Sequence, residues 1–150
     1  IAIRYPRGNM KFENDKPFVF GKMQSMTEGD KALILSMGHM LKNAMDASCL
    51  LQEQGISVSV VNLRTLWPLH KETINHLAKT YPLIVTLEDG VLSGGIGEKI
   101  KAMVGNKTKV LVKAHTSGVV PHGKRDELYH VSGLSAETIA KEIVEIISQE

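Results

Sequence analysis

At 150 residues the chain has the size of one domain with room for a real core, and 43% hydrophobic with 23% charged residues is ordinary for a soluble globular protein. A formal net charge of +2 argues against nucleic-acid and membrane-surface partners, 5% aromatics argue against a base-stacking platform, and the apolar runs are far shorter than a membrane span. One cysteine, Cys49, allows no internal disulfide and fits a reducing, cytoplasmic setting.

Ile1-Ala2-Ile3 reads as the end of a buried strand, with Arg4, Tyr5, Pro6, Arg7 and Gly8 crowded where it stops. A strand without an upstream partner suggests a piece of a longer polypeptide. Residues 1–16 are therefore assigned to the end of a preceding domain plus a polar linker, and 17–150 to a self-contained domain. Pro17 to Lys22 reads as a short extended segment, and Glu28-Gly29-Asp30 as a turn. Lys31 to Gly38 is a nearly unbroken apolar run of strand length, the mark of a strand covered on both faces.

Helical periodicity follows from His39 to Gln54, with Met40, Leu41, Ala44, Met45, Ala47, Ser48 and Leu51 as its stripe and Gly55 ending it. Ser57 to Leu63 is β-branched and predicts a strand; Arg64 to Leu69 is a loop. Lys71 to Lys79 predicts a short helix with Ile74, Leu77 and Ala78 facing in. Leu83 to Glu88 is a strand, Asp89 to Gly95 a loop, Ile96 to Val104 a helix, and Lys109 to Ala114 a strand. A loop through Gly118, Pro121 and Gly123 leads to a helical turn or two at Lys124–Tyr129. Ser135 caps a last helix to about Ser148, with Ile139, Ile143, Ile146 and Ile147 on one face. Strands alternating with helices predict a three-layer α/β/α sandwich around a mainly parallel five-stranded sheet.

Ligands of such sheets bind outside the carboxyl ends of the strands. That directs attention to Gly38-His39, Leu63–Pro68, Glu88–Gly97 and His115–Gly123. Gly94, Gly95 and Gly97 open a helix whose free N–H groups suit a phosphate or an effector. The spacing matches neither a dinucleotide fingerprint nor a P-loop, and tight turning with close helix–sheet packing is the simpler reading. Glu88-Asp89 are paired acids suited either to proton transfer or to holding the next loop through its N–H groups, the second being favoured. Six histidines show no metal-ligand spacing, so no metal site is expected, and surface or capping roles are favoured for each. Cys49 is expected as a small buried hydrophobe, and no catalytic Ser/Cys–His–Asp grouping is suggested locally. Arg4 and Arg7 carry the planar donor fork that grips phosphate, although solvated arginines in a linker would read the same way.

Several motifs together alter that balance. They are Arg4-Tyr5-Pro6-Arg7-Gly8-Asn9, Gly21-Lys22, Gly29-Asp30 before Ala-Leu-Ile-Leu, and Val61-Asn62-Leu63-Arg64 with Pro68-Leu69. Glu88 with Gly94-Gly95-Ile96-Gly97, His122-Gly123 and Ser132-Gly133-Leu134 complete the set. The chain resembles, over essentially its whole length, the carboxyl-terminal domain of the transketolase superfamily of thiamine-diphosphate enzymes, most closely the 1-deoxy-D-xylulose-5-phosphate synthase family. Leu63 to Leu69 is more similar to the β subunit of pyruvate-dehydrogenase-type enzymes.

The resemblance implies a transferase of isoprenoid biosynthesis that condenses pyruvate with glyceraldehyde 3-phosphate and releases carbon dioxide. It implies thiamine diphosphate and Mg2+ bound by upstream domains, with the cofactor supplying the electron sink and the protein the positioning. It further implies a homodimer, no catalytic residue in this chain, and no activity for the chain alone. By position Arg7 inherits a contact to the aldehyde's phosphate, with Arg4 and Tyr5 beside it. A transketolase-type protein, a β-subunit tail of a 2-oxo acid dehydrogenase and a non-catalytic nucleotide- or effector-binding module are the alternatives.

Overall fold

The computed structural model describes residues 16–116 and 121–149. The strands are β1 (Gln24–Thr27), β2 (Ala32–Ser36), β3 (Val58–Asn62), β4 (Leu83–Val91) and β5 (Lys109–His115). The helices are α1 (Met40–Glu53), α2 (Lys71–Thr80), α3 (Ile96–Val104), α4 (Arg125–Val131) and α5 (Ala136–Ile147). The sheet order is β1-β3-β2-β4-β5; β1 runs antiparallel to β3 and every other pairing is parallel.

Side-chain alternation along the central strands builds the three layers. Ala32 and Ile34 of β2, with Leu83, Val85 and Leu87 of β4, meet α1, α4 and α5 on one face. Leu33, Leu35 and Ile84 meet α2 and α3 on the other. Both faces of β2 are therefore buried, which is why its sequence is an apolar run and not an alternation. Helix α1 buries Met40, Leu41, Ala44, Ala47, Ser48 and Leu51. It ends as a Schellman cap: Gly55 stands at φ +76°, its N–H bonds Gln52 O at 3.0 Å, and the Ile56 N–H bonds Leu51 O at 2.9 Å. The Ser135 hydroxyl accepts the Thr138 N–H at 3.3 Å and starts α5, as its sequence position predicts.

Two expectations are corrected. The fifth strand is Gln24–Thr27, not the Pro17–Lys22 stretch. Gly21 at φ +74° and the Lys22 N–H bonded to Val19 O at 3.1 Å make a turn there, and Phe18 and Phe20 point into water. Strand β4 also runs three residues beyond Glu88, with a register shift against β5 between Leu87 and Val91. The expected Ile1–Ile3 strand and the body of the linker lie outside the described residues, as does Gly118.

Candidate functional site

From β2 the chain first adds β3 on one side and then β4 on the other, so the carboxyl ends of β2 and β4 flank the point where strand order reverses. His39 leaves β2 just above this gap, and Glu88 and Asp89 sit at its β4 side. The strand alternation sends these two acids to opposite faces.

Glu88 is buried and turns toward α3. Its Oε2 accepts the Ile96 N–H at 3.1 Å and its Oε1 accepts the Gly97 N–H at 2.9 Å. A carboxylate is thereby placed on the positive end of the helix. The Gly94 N–H is also taken, by Glu98 Oε2 at 2.7 Å. The donors that a phosphate would need at Gly94, Gly95 and Gly97 are thus largely engaged by the protein's own carboxylates. The glycines have a packing reason of their own: a Cβ on Gly97 would come within 2.5 Å of Thr86 Oγ1 and also strike Val112, and one on Gly95 would lie 2.5 Å from Glu88 Oε1. Of the two uses weighed for the paired acids, Glu88 serves the loop.

Asp89 turns the other way and bridges two rings. His39 Nε2 lies 2.7 Å from Oδ2, and His115 Nε2 lies 2.9 Å from Oδ1. An ionised carboxylate only accepts, so both Nε2 atoms carry the proton. His115 Nδ1 lies 3.0 Å from the Ser132 hydroxyl, which donates to it when the ring is neutral and accepts from it when the ring is protonated. Burial raises the Asp89 pKa, but the hydrogen bonds from His115 and His39 and the charge of those rings outweigh it and hold the carboxyl below its ordinary value. The Tyr129 ring stacks on His39 with centroids 6.2 Å apart and planes at 16°. Its buried hydroxyl lies beside Asp89 without a hydrogen bond of good geometry among the described residues, and burial, followed by the Asp89 charge and the hydroxyl's interaction with that carboxylate, pushes its pKa well above the usual phenol value.

This Ser132–His115–Asp89 order places a hydroxyl, an imidazole and a carboxylate in line, which local sequence did not suggest. The carboxylate is shared with His39, and the nearby helix N-terminus that would steady an oxyanion is capped by Glu88 on the opposite face. The cluster is built as a lock joining the start of α1, the ends of β4 and β5, and the end of α4. Its members are 50 and 26 residues apart, so only the strand order reveals it.

The remaining expectations fall as follows. Arg4, Tyr5 and Arg7 lie outside the described residues. Cys49 is exposed, not buried, because it sits on the face of α1 opposite the buried stripe. His122, His130 and His76 are exposed. Arg64 carries a role that its motif alone did not reveal. It adopts φ +58°, a left-handed conformation costing a non-glycine residue about 1–2 kcal/mol, and its Nη1 and Nη2 donate to the carbonyls of Pro17 at 2.7 Å and Lys16 at 3.0 Å. Among the described residues no three His, Cys, Asp or Glu side chains form a group able to hold a metal ion. With the α3 N-terminus capped by Glu88 as well, the described residues do not fit thiamine diphosphate or its Mg2+.

Residues 21–139 match the family described as Transketolase, C-terminal domain. The chain belongs to that family. The 1-deoxy-D-xylulose-5-phosphate synthase of Clostridium perfringens is 36% identical over 98% of this chain and 25% of its own length. The synthase of Gloeothece citriformis is 37% identical over 96% of this chain and 24% of its own length. This transketolase C-terminal domain thus spans about a quarter of the curated relatives it matches. A split-gene transketolase solved as an inactive β4 tetramer superimposes with TM-score 0.81, at 23% identity, over 91% of this chain and 46% of that one. A Pichia stipitis transketolase gives 0.63 at 18% identity over 85% of this chain and 18% of that one. At such identities these two neighbours speak for the α/β sandwich alone.

Proposed function

We propose that the chain is the carboxyl-terminal domain of a thiamine-diphosphate-dependent 1-deoxy-D-xylulose-5-phosphate synthase, joining pyruvate to glyceraldehyde 3-phosphate with loss of carbon dioxide. The observation that carries this is the 36% identity to a synthase over 98% of the chain. The domain's own part is structural: it closes one side of the enzyme and makes dimer contacts in a cytoplasmic homodimer. Thiamine diphosphate and Mg2+ belong to the upstream domains, as the family resemblance implies. Residues 1–16 are the end of the preceding domain and its linker, 17–150 are this domain, and Arg7 holds the aldehyde's phosphate with Arg4 and Tyr5 in support.

The test is release of labelled carbon dioxide from pyruvate, dependent on glyceraldehyde 3-phosphate. The purified 150-residue chain is expected to show none, and to restore it when combined with the thiamine-binding part of the enzyme. Turnover by the chain alone would overturn its structural role; no turnover by the combination would overturn the synthase reading. The β-subunit tail of a 2-oxo acid dehydrogenase is the second reading, favoured by Leu63 to Leu69 alone, and would give decarboxylation that needs no aldehyde phosphate. An effector-binding module would instead bind a nucleotide tightly in calorimetry, and lose it on Gly97→Trp.

A further inference from the structure

The two edges of the sheet differ in how well they are protected. Strand β1, at one edge, has four residues and a register break against β3 between Ser25 and Thr27, which keeps it from templating a further strand. Strand β5, at the other edge, has seven residues and keeps unbroken register with β4 from Lys109 to Lys113. It pairs with β4 alone among the described residues, so alternate N–H and C=O groups along it face outward without a strand partner. Val110, Leu111 and Val112 are only partly covered. A long, regular edge of this kind accepts another strand unless its surroundings forbid it.

Charge decides which strand. Of the chain's 18 Lys and Arg residues, seven lie between Lys99 and Arg125, and none of its 16 acids does. Helix α3 lies over β5, with Gly97 backing onto Val112, and residues 105–108 turn the chain from one to the other. Lys99 and Lys101 on α3, Lys107 in the turn and Lys109 at the start of β5 therefore gather along this edge, and all four are exposed. Among the described residues none of them is ion-paired. Lys107 reaches only the neutral amide of Asn75, at 2.6 Å. The acids nearby are already engaged: Glu98 holds the Gly94 N–H, and Glu142 holds Lys113 at 2.7 Å. A second copy pairing antiparallel about Leu111 would set Lys109 directly against Lys113, and like charges so placed destabilise a strand pair. Residues 96–114 contain no Arg, Phe, Tyr or Trp, so bases would find no platform to stack on.

We propose that the β5 edge docks an acidic segment of another protein, bound in extended form as a further strand of the sheet. Its backbone completes the outer ladder of β5, and its carboxylates lie against Lys99, Lys101, Lys107 and Lys109. In strand addition the main-chain hydrogen bonds supply affinity, while the flanking charges select the partner. This site is independent of the synthase reading, and neither depends on the other.

The probe is an acetylated, amidated peptide in which Glu and Val alternate, as long as β5 itself. Anisotropy of the labelled peptide and amide hydrogen exchange of the 150-residue chain follow its binding. The peptide is expected to bind and to slow exchange of the outward β5 amides about tenfold or more. Its affinity is expected to fall about tenfold between about 0.05 and 0.5 M salt. Lys101→Glu with Lys109→Glu is expected to weaken binding about 30-fold at an unchanged melting temperature. Lys109→Gln alone, with a smaller loss, serves if the double variant does not fold. Lys141→Glu, on α5 in the opposite layer, is expected to leave binding as it was. A peptide with Pro in place of each Val keeps the charge, loses those N–H groups and is expected not to bind. Equal binding by the proline peptide, or binding without protection of β5, overturns strand addition. Equal binding by a Lys–Val peptide overturns the choice of an acidic partner. Tighter binding by an oligothymidylate of the same charge would make the edge a nucleic-acid surface and overturn the proposal, as would no binding of the acidic peptide.

Discussion

Glu88 Oε1 accepts the N–H of Gly97 at 2.9 Å, so a buried strand carboxylate closes the first turn of the helix that follows it. The second oxygen takes the Ile96 N–H, which leaves this charge satisfied by two backbone donors and a helix dipole. Glu88→Ala would strand both donors in a buried place. A loss of about 2–4 kcal/mol is expected, with Glu88→Gln losing about half as much because it keeps one acceptor. Urea unfolding of the chain measures both, and equal stability of all three proteins would show that the contact contributes nothing.

The glycines of the same turn should fail for different reasons. Gly97→Ala forces a methyl onto Thr86 Oγ1 and Val112, an overpacking expected to cost about 1–3 kcal/mol. Gly94→Ala meets no neighbour within 4 Å but must hold φ +75°, at about 1 kcal/mol. Gly94→Asn, which tolerates that conformation, is expected to recover much of the Gly94 loss. Gly97→Asn should be no better than Gly97→Ala. Thermal melts distinguish the two patterns.

Asp89 sets a pH dependence of definite sign. Its folded pKa lies below the ordinary carboxyl value, so its pairing with His39 and His115 stabilises the protein above about pH 4 and is lost as pH falls through the folded pKa. Asp89→Asn is therefore expected to be less stable than the parent at pH 6–7, with the gap narrowing toward pH 3. Denaturant midpoints at each pH give the comparison; a gap that widened on acidification would contradict the lowered pKa.

On the synthase reading proposed above, Arg7→Ala in the complete enzyme is expected to impair use of glyceraldehyde 3-phosphate far more than use of pyruvate. Losing one charge-assisted phosphate contact corresponds to about 1.5–3 kcal/mol, roughly 10- to 150-fold in kcat/KM for the aldehyde. Steady-state kinetics with each substrate varied in turn reads this directly. Equal losses for both substrates would remove Arg7 from the phosphate.

Much of the fold was legible in the sequence because burial on two faces leaves a plain mark. Ala32–Ser36 and Leu83–Leu87 are apolar runs, and Ile96–Val104 starts among glycines, of which Gly95 and Gly97 leave no room for a Cβ. Strand β1 left no such mark. Gln24-Ser25-Met26-Thr27 lies at an edge and depends on its ladder to β3, with the Thr27 hydroxyl donating to Val58 O at 3.0 Å and accepting the Val60 N–H at 2.9 Å. The His39–Asp89–His115 cluster was illegible for another reason: each member looks like an ordinary loop residue, and their meeting follows from strand order, which no local pattern encodes. Cys49 was misjudged because its neighbours Ser48 and Leu51 are buried, while its own position on the turn of α1 faces out.

The opposite headings of Glu88 and Asp89 have a consequence for how β4 finds its place. Sliding this strand by one residue would put Asp89 beneath α3, where its shorter arm would reach toward the helix, Glu88 among the apolar side chains of the other layer, and Gly90 opposite the two imidazoles. It would also turn Leu83, Val85 and Leu87 to the wrong layer. Shape and charge thus reject the same error. The sheet is proofread twice at one step of one strand.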